Sequence, residues 1–452
     1  MVGLNALGVP AAQTRASFDA TPRQDAARLP HVVAWNLTKR CNLACSHCYI
    51  AAGNWQAAAG ELSTAECRRI TDEILAVNPA PMFVLSGGEP LLREDLEQIA
   101  EHASQSGATV VVGSNGTRLT SERIDSLKSA GVRGVAISID SLDARYHDRF
   151  RHGPGALTDT LAAVDRLRSQ SLDFVVQTSV TRGNRAEIPR IAAWAAERGA
   201  VSFNVYFLIA TGRGAAMRGL SPAENDEVLL ELVELERAYR GRMLVRSKCQ
   251  PQIMRHVYQR APDSPLLNYE TRCPCGVQYC RITPEGKLTP CPYMPLVAGD
   301  LREQRFDEVW WGSPLFRSLR EPTLGGKCGR CEFGGVCGGC RARAYAESGD
   351  PLAEDASCAY TPSGTAARVE PPRQETYGTA AEPALEWEPE ARARLQRIPS
   401  FVRGVVTARV EAFARARGRA RVTLATLDEV RSSLPVDFSK RKPFFMRQAG
   451  DE

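Results

Sequence analysis

The stretch VVAWNLTKRCNLACSHCY, residues 32–49, carries the reading of the fold. It opens with a nearly continuous apolar run, Val32 to Leu37. Such a run fits a strand covered on both faces of a parallel sheet. Cys41, Cys45 and Cys48 follow within a few residues. Folds of parallel strands and helices place their chemistry in the loops at the C-terminal strand ends. Five further runs of the same kind come after it: MFVLS (82–86), ATVVVG (108–113), GVAIS (134–138), FVVQTSV (174–180) and VSFNVYFLI (201–209). Amphipathic stretches separate them. One, STAECRRITDEILAV (63–77), begins with Ser63 and has Glu66 three residues on, a capping box. Alternating strands and helices imply right-handed βαβ units. The expected fold is therefore α/β, a partial (βα)6 TIM-like barrel two units short of the full eight-fold one.

The rest of the 452-residue chain is too long for one core. The boundaries read as an N-terminal extension (1–29), the barrel (30–240), a loop-rich cysteine region (241–360), a linker rich in Pro, Thr and Ala (361–384), a small all-α module (385–435) and a basic tail (436–452). The loop-rich region has too little apolar periodicity to build a core, so bound metal is expected to hold it. In the module, Pro399 stands near the start of a helix and Gly418 at its end. Net charge is +5, too weak over this length to argue for nucleic acid but compatible with an anionic small substrate. No stretch has the apolar length of a membrane span, and the N-terminus lacks a secretory pattern, so the expected location is cytoplasmic.

Fourteen cysteines is a high count, and in a reducing compartment they read as metal ligands rather than disulfides. They fall into groups at 41–48, 273–291 and 328–358, with only Cys67 and Cys249 apart. Three thiolates are one short of a closed tetrahedral zinc site. They suit a [4Fe–4S] cluster that keeps one iron free for a small molecule bearing amino and carboxylate groups. A zinc knuckle is the alternative. SGGEP (86–90) ends the second strand. Gly87 and Gly88 let backbone approach a ligand, and Glu89 can accept from an ammonium group; a plain βα turn is the other reading. Asn115 in GSNGT either lines a cofactor or makes a turn. Ser138 and Asp140 in SID suit ribose hydroxyls.

With Tyr49 directly after the third cysteine, these segments resemble the radical S-adenosylmethionine superfamily. The resemblance implies a [4Fe–4S] cluster on Cys41, Cys45 and Cys48. It also implies S-adenosylmethionine held by the segment Gly87–Pro90, and a reductant such as ferredoxin or flavodoxin. CPCGVQYCRITPEGKLTPCPY and CGRCEFGGVCGGC resemble the auxiliary-cluster extension called SPASM. Carried over, it implies one or two auxiliary [4Fe–4S] clusters: one on Cys275, Cys280, Cys291 and Cys340, with Cys273 a substitute for Cys275, and one on Cys328, Cys331, Cys337 and Cys358. Two residues separate Cys337 from Cys340 where the family has three, which leaves the partition open. Zinc ribbons are the alternative.

FLIATGRG (207–214) and CGGCRARAYAESGDPLAEDASCAY, with the first cysteine loop, are similar to the branch that makes heme and heme d1. WEPEARARLQRIPSFVRGVVTARVEAFARARG resembles the C-terminal domain of light-independent protochlorophyllide reductase; a docking appendage is the alternative. Both resemblances imply a tetrapyrrole substrate, and the first implies that its propionates are modified through a 5′-deoxyadenosyl radical by a radical oxidoreductase or lyase. Carboxylates call for guanidinium partners. Arg182 and Arg213 are the candidates at strand ends, beside Arg149 and Arg151, and each is otherwise a surface charge. His147 and His152 are loop histidines or heme-iron ligands. A radical maturase of ribosomal peptides, and a non-catalytic metal scaffold, are the competing functions.

Overall fold

β1 (Val32–Thr38) is buried along its whole length, as its unbroken apolar run requires. It lies in a ten-stranded sheet of the computed structural model, which describes residues 28–53, 60–269, 272–370, 383–396 and 398–432. The expectations for residues 1–27, for 371–382 of the linker and for the basic tail fall outside these. In chain order follow β2 (Met82–Gly87), β3 (Thr109–Ser114), β4 (Val132–Ser138), β5 (Asp173–Val180) and β6 (Ser202–Phe207). Each pairs in parallel with its predecessor, from Val32 opposite Met82 to Val180 opposite Phe207, with register shifts between Asn36 and Thr38 and between Val110 and Val111. Helices return the chain between them. The capping box at Ser63 and Glu66 starts helix Thr64–Val77, and a second box, Ser221 with Glu224, starts Pro222–Tyr239.

The sheet does not stop at residue 240. β7 (Leu244–Lys248) pairs in parallel with β6, and β8 (Tyr279–Ile282) pairs in parallel with β1 on the opposite side. β9 (Lys287–Thr289) and β10 (Gly299–Asp300) continue antiparallel from β8. The strand order is thus β10-β9-β8-β1-β2-β3-β4-β5-β6-β7, an incomplete barrel whose end strands, β7 and β10, are not paired to each other.

The cysteine region also builds a core, contrary to the expectation from its composition. Phe306, Trp310 and Phe316 are fully buried and continuous with the barrel core. Phe306 and Trp310, four apart on helix Phe306–Gly312, stack at 5.8 Å, and Phe316 meets Trp310 edge-on at 5.2 Å. A short run with i, i+4 aromatics is easily missed by a search for long periodicity.

The C-terminal module has its own small core around Trp387, Leu395, Val410 and Val422. It is mainly helical (Pro389–Gln396, Ser400–Ala416, Leu424–Ser432). It is not purely so: β11 (Glu386–Trp387) and β12 (Arg421–Val422) form a short parallel ladder. The module docks at the N-terminal ends of β1 and β2. Ser400 N–H and its hydroxyl both donate to the Ala80 carbonyl, at 3.0 and 2.7 Å. Asn78 Nδ2 donates to the same hydroxyl at 3.0 Å. Since that hydroxyl has one proton, already given to Ala80, its 2.8 Å contact with His31 Nδ1 requires the imidazole to donate. No described helix is long and apolar enough to cross a membrane.

Candidate active site

Inward-facing strand residues of this sheet are small: Ala34, Gly113, Gly134, Ala136 and Ser202 all border one cavity of about 1500 Å³. A full barrel fills this space with layers of bulky side chains. Here it stays open, with walls more apolar than polar.

Cys41, Cys45 and Cys48 border the cavity at the C-terminal end of β1. The Cys41 thiol feels the charges of Cys45 and Cys48, and the Cys45 thiol that of Cys48. Burial pushes the Cys41 thiol up to about 12 and raises Cys45 as well, the latter opposed by Arg151. Backbone donors already face two of the sulfurs: Leu43 N–H at 3.4 Å from Cys41 Sγ and Ala52 N–H at 3.2 Å from Cys48 Sγ. Tyr49 borders the cavity, its hydroxyl accepting from Asn36 Nδ2 at 2.7 Å and its ring lying under the Arg281 guanidinium.

Gly87 and Gly88 serve the protein's own backbone first. A Cβ on Gly88 would sit 2.2 Å from the Arg40 carbonyl, and one on Gly87 (φ +142°) 2.4 Å from that of Thr38. Gly88 N–H and Glu89 N–H donate to the Thr38 and Arg40 carbonyls at 2.8 Å each. The glycines thereby let the second loop lie flat against the root of the cysteine loop while still bordering the cavity.

Glu89 and Asp140 do not border the cavity as the sequence suggested. Glu89 is fully buried and accepts from Ser114 Oγ, Leu91 N–H and Asn115 N–H, tying the loops after β2 and β3 together. Burial raises its carboxyl to about 7. Pro90 begins the short turn Pro90–Leu92 that Glu89 caps. Asp140, also fully buried, binds Arg151 and accepts from Ser179 N–H at 2.8 Å. It is Arg151 that reaches the cavity. Asn115 and Ser138 do border it, and Asn115 Nδ2 bonds Asn42 at 3.0 Å beside the cysteine loop.

Arg182 lies outside the site, in an exposed ion pair with Glu224 at 3.0 Å. Arg213 borders the cavity and binds the cysteine loop: its N–H donates to the Cys48 carbonyl at 2.9 Å and its Nε to that of Cys45 at 2.8 Å. Its Nη2 is buried without a partner. His147 is fully buried away from the cavity, and His152 caps a helix and meets Ser46 at 3.0 Å.

The later cysteines divide differently from the expected partition. Cys273, Cys275, Cys291 and Cys340 come together: the Cys273 and Cys275 sulfurs lie 3.4 Å apart, Cys275 also contacts Cys291, and Cys273 contacts Cys340. Cys280 stands apart from them. On β8 side chains alternate, so Tyr279 faces the cavity while Cys280 and Ile282 enter the barrel core, with Cys280 opposite Val33. The alternation in YCRI was the available signal. Cys249, unassigned from sequence, borders the cavity beside Cys291 and Cys273. Cys328, Cys331, Cys337 and Cys358 form the other group: Cys328 and Cys358 lie close enough to both Cys331 and Cys337 for their charges to raise those thiols. The short spacing between Cys337 and Cys340 works because Gly338 and Gly339 are both left-handed, at φ +62° and +69°. That turn sends the two cysteines to different groups. Among the described residues no three His, Cys, Asp or Glu side chains close on a point as ligands of a single metal ion must.

Residues 35–195 match the radical SAM superfamily, 273–332 the SPASM iron–sulfur cluster-binding domain, and 387–431 the proto-chlorophyllide reductase 57 kD subunit. The chain belongs to the radical SAM superfamily and is an iron–sulfur-dependent enzyme of its SPASM-bearing kind. Within it, the chain is 40% identical over 343 residues to the AdoMet-dependent heme synthase of Methanosarcina barkeri, covering 74% of this chain and 97% of that one. It is 30% identical over 383 residues to the pre-heme d1 synthase of Dinoroseobacter shibae, covering 77% and 91%. Its fold is similar to that of Streptococcus suis SuiB bound to S-adenosylmethionine (TM-score 0.60, 15% identity, 74% of this chain and 78% of that one).

Proposed function

We propose that this enzyme oxidatively decarboxylates propionate side chains of an iron-containing tetrapyrrole, of the iron-coproporphyrin III type, in the formation of heme. One observation carries the reading: the three-cysteine loop and the Cys273 group open into a single, wide, mostly apolar cavity. Such a space suits a large flat macrocycle better than an extended peptide, which brings polar backbone along its whole length. The likeness to heme synthases along most of the chain supports it.

Cys41, Cys45 and Cys48 would hold the [4Fe–4S] cluster, and the two later groups of four would hold auxiliary clusters. The donor set fits thiolate ligation. Beyond the bonds to Cys41 and Cys48, Gly339 N–H faces Cys337 Sγ and Asp355 N–H faces Cys328 Sγ, each at 3.4 Å. Such donors favour charged sulfur. When bound and reduced, the cluster with S-adenosylmethionine supplies a radical able to take hydrogen from a saturated carbon.

The chain's part is to place the reactants. Gly87, Gly88, Asn115 and Ser138 form the wall against which S-adenosylmethionine would lie, with Tyr49 beside the cysteines. Glu89 and Asp140 position that wall from behind. Arg213 borders the cavity beside the cysteine loop and would offer its positive charge to a carboxylate. Per propionate, a hydrogen atom leaves the β-carbon, carbon dioxide departs, one electron passes to an acceptor, and a vinyl group remains. An external one-electron donor such as ferredoxin or flavodoxin completes the system.

The test is anaerobic incubation of the iron-loaded protein with S-adenosylmethionine, a reductant and iron-coproporphyrin III, read by mass spectrometry. Products lighter by carbon dioxide and hydrogen are expected. Loss of the whole propionate would move the reading toward heme d1 chemistry. An unchanged porphyrin beside a modified peptide would overturn it.

A further inference from the structure

The cavity has a second end. At the N-terminal strand ends its wall includes Val32, Met82 and Leu244, the first residues of β1, β2 and β7. There the floor comes from the C-terminal module. Val402 and Val406, one turn apart on helix Ser400–Ala416, face the cavity, as does Leu427. The module has its own core, so these residues add a surface to the cavity rather than merely completing the barrel. The buried knot of Ser400, Ala80, Asn78 and His31 fixes that surface in place.

Guanidinium groups ring this floor. Arg133 at the start of β4, and Arg409 and Arg431 of the module, border the cavity. None of the three has a carboxylate partner among the described residues. Arg394, also at the floor, is committed to Asp428 at 2.9 Å. The carboxylate in this part of the wall, Asp173, is fully buried and engaged within the protein. These three cations, with Arg242 beside the start of β7 as a fourth that lies over the Tyr239 ring, surround an apolar floor and fit a ligand that is apolar across its body and anionic at its edge.

We propose that the floor is a carboxylate subsite, in which Arg133, Arg409 and Arg431 hold the propionates that the reaction leaves intact. This rests on the tetrapyrrole reading above. Heme formation converts some propionates of iron-coproporphyrin III and leaves the others. The two ends of the cavity therefore have different tasks: the cysteine end meets the propionate to be converted, and the module end holds the rest. The strands between them, about six residues long, span roughly 20 Å. On this account the module is a specificity element of the chamber, and it sets which edge of the macrocycle points at the cysteines.

The test uses the full-length, iron-loaded protein and iron-coproporphyrin III, titrated anaerobically by the shift of its Soret band. The combined variant Arg133→Ala, Arg409→Ala, Arg431→Ala should bind at least tenfold more weakly, with iron content unchanged. The Lys variant at all three positions should recover part of the loss. The methyl ester of the porphyrin should bind wild type and the Ala variant equally weakly. Wild-type affinity in the Ala variant, with the ester still discriminated, would place the carboxylate contacts elsewhere and overturn the subsite. Failure of wild type itself to bind the porphyrin would overturn the tetrapyrrole reading, and the subsite with it.

Discussion

Arg151 and Asp140 form a closed ion pair beneath the cysteine loop: Arg151 Nε and Nη2 donate to one Asp140 oxygen at 2.8 and 2.7 Å. Arg151 Nη1 is left 4.0 Å from Cys45 Sγ. Burial alone would lift the Asp140 carboxyl, but the Arg151 charge holds it below its usual range. The pair thus carries a fixed positive group to the edge of the three-cysteine site without leaving a charge unpaired.

Asp140→Asn should expose the cost of that arrangement. Arg151 would remain buried without its counter-charge, a change worth about 3–5 kcal/mol. Guanidinium denaturation of the iron-loaded protein measures it. A loss below about 1 kcal/mol would mean that Arg151 finds another partner.

His147 makes stability depend on acidity. Burial holds its imidazole down to about 4, against about 6.5 in an unfolded chain. Its Nδ1 accepts from Asp140 N–H at 3.3 Å, which requires the neutral form. The unfolded chain therefore binds a proton that the folded one refuses between pH 6.5 and 4. Stability contributed by the neutral ring is complete above that window and falls as pH descends through it. His47 is lowered to about 4 for the same cause, so His147→Gln should flatten the pH dependence of the urea midpoint in part. An unchanged slope would contradict the assignment.

Cys273 and Cys280 should separate cleanly. Cys273→Ala removes a member of the thiol group and should cost the protein about four iron atoms after anaerobic reconstitution. Cys280→Ala only trims the barrel core, at about 1–2 kcal/mol, and should leave iron content intact. Iron and sulfide analysis with denaturation distinguishes them; the reverse pattern would restore the partition expected from sequence.

Gly88→Ala should be among the most damaging small changes. The new methyl would press on the Arg40 carbonyl and push the cysteine loop away from the loop after β2. S-adenosylmethionine cleavage should fall at least a hundredfold, while the iron of the two later cysteine groups stays. A variant with near-wild-type cleavage would show that the loop yields freely.

Much of this architecture is legible in the chain. Continuous apolar runs mark β1 to β6, and Ser63 with Glu66 marks a helix start, because local pattern and burial agree there. Glu89 and Asp140 read as cofactor contacts because their side-chain chemistry permits it. Only the fold reveals that Ser114, Asn115, Arg151 and Ser179 already engage them. The resemblance to SPASM put Cys280 among the cluster ligands, whereas the alternation of its neighbours on β8 turns it into the barrel core. The docking of Ser400 on Ala80 joins residues 320 apart, a pairing no local pattern encodes.

In the proposed function Cys41, Cys45 and Cys48 make the site that cleaves S-adenosylmethionine, and every later step depends on it. The most direct measurement is 5′-deoxyadenosine released by reduced, oxygen-free protein, compared with the Cys45→Ala variant. Release from wild type, and none from the variant although it keeps the iron of the later groups, is the predicted result. No 5′-deoxyadenosine from iron-replete wild type, or equal amounts from both, would contradict it.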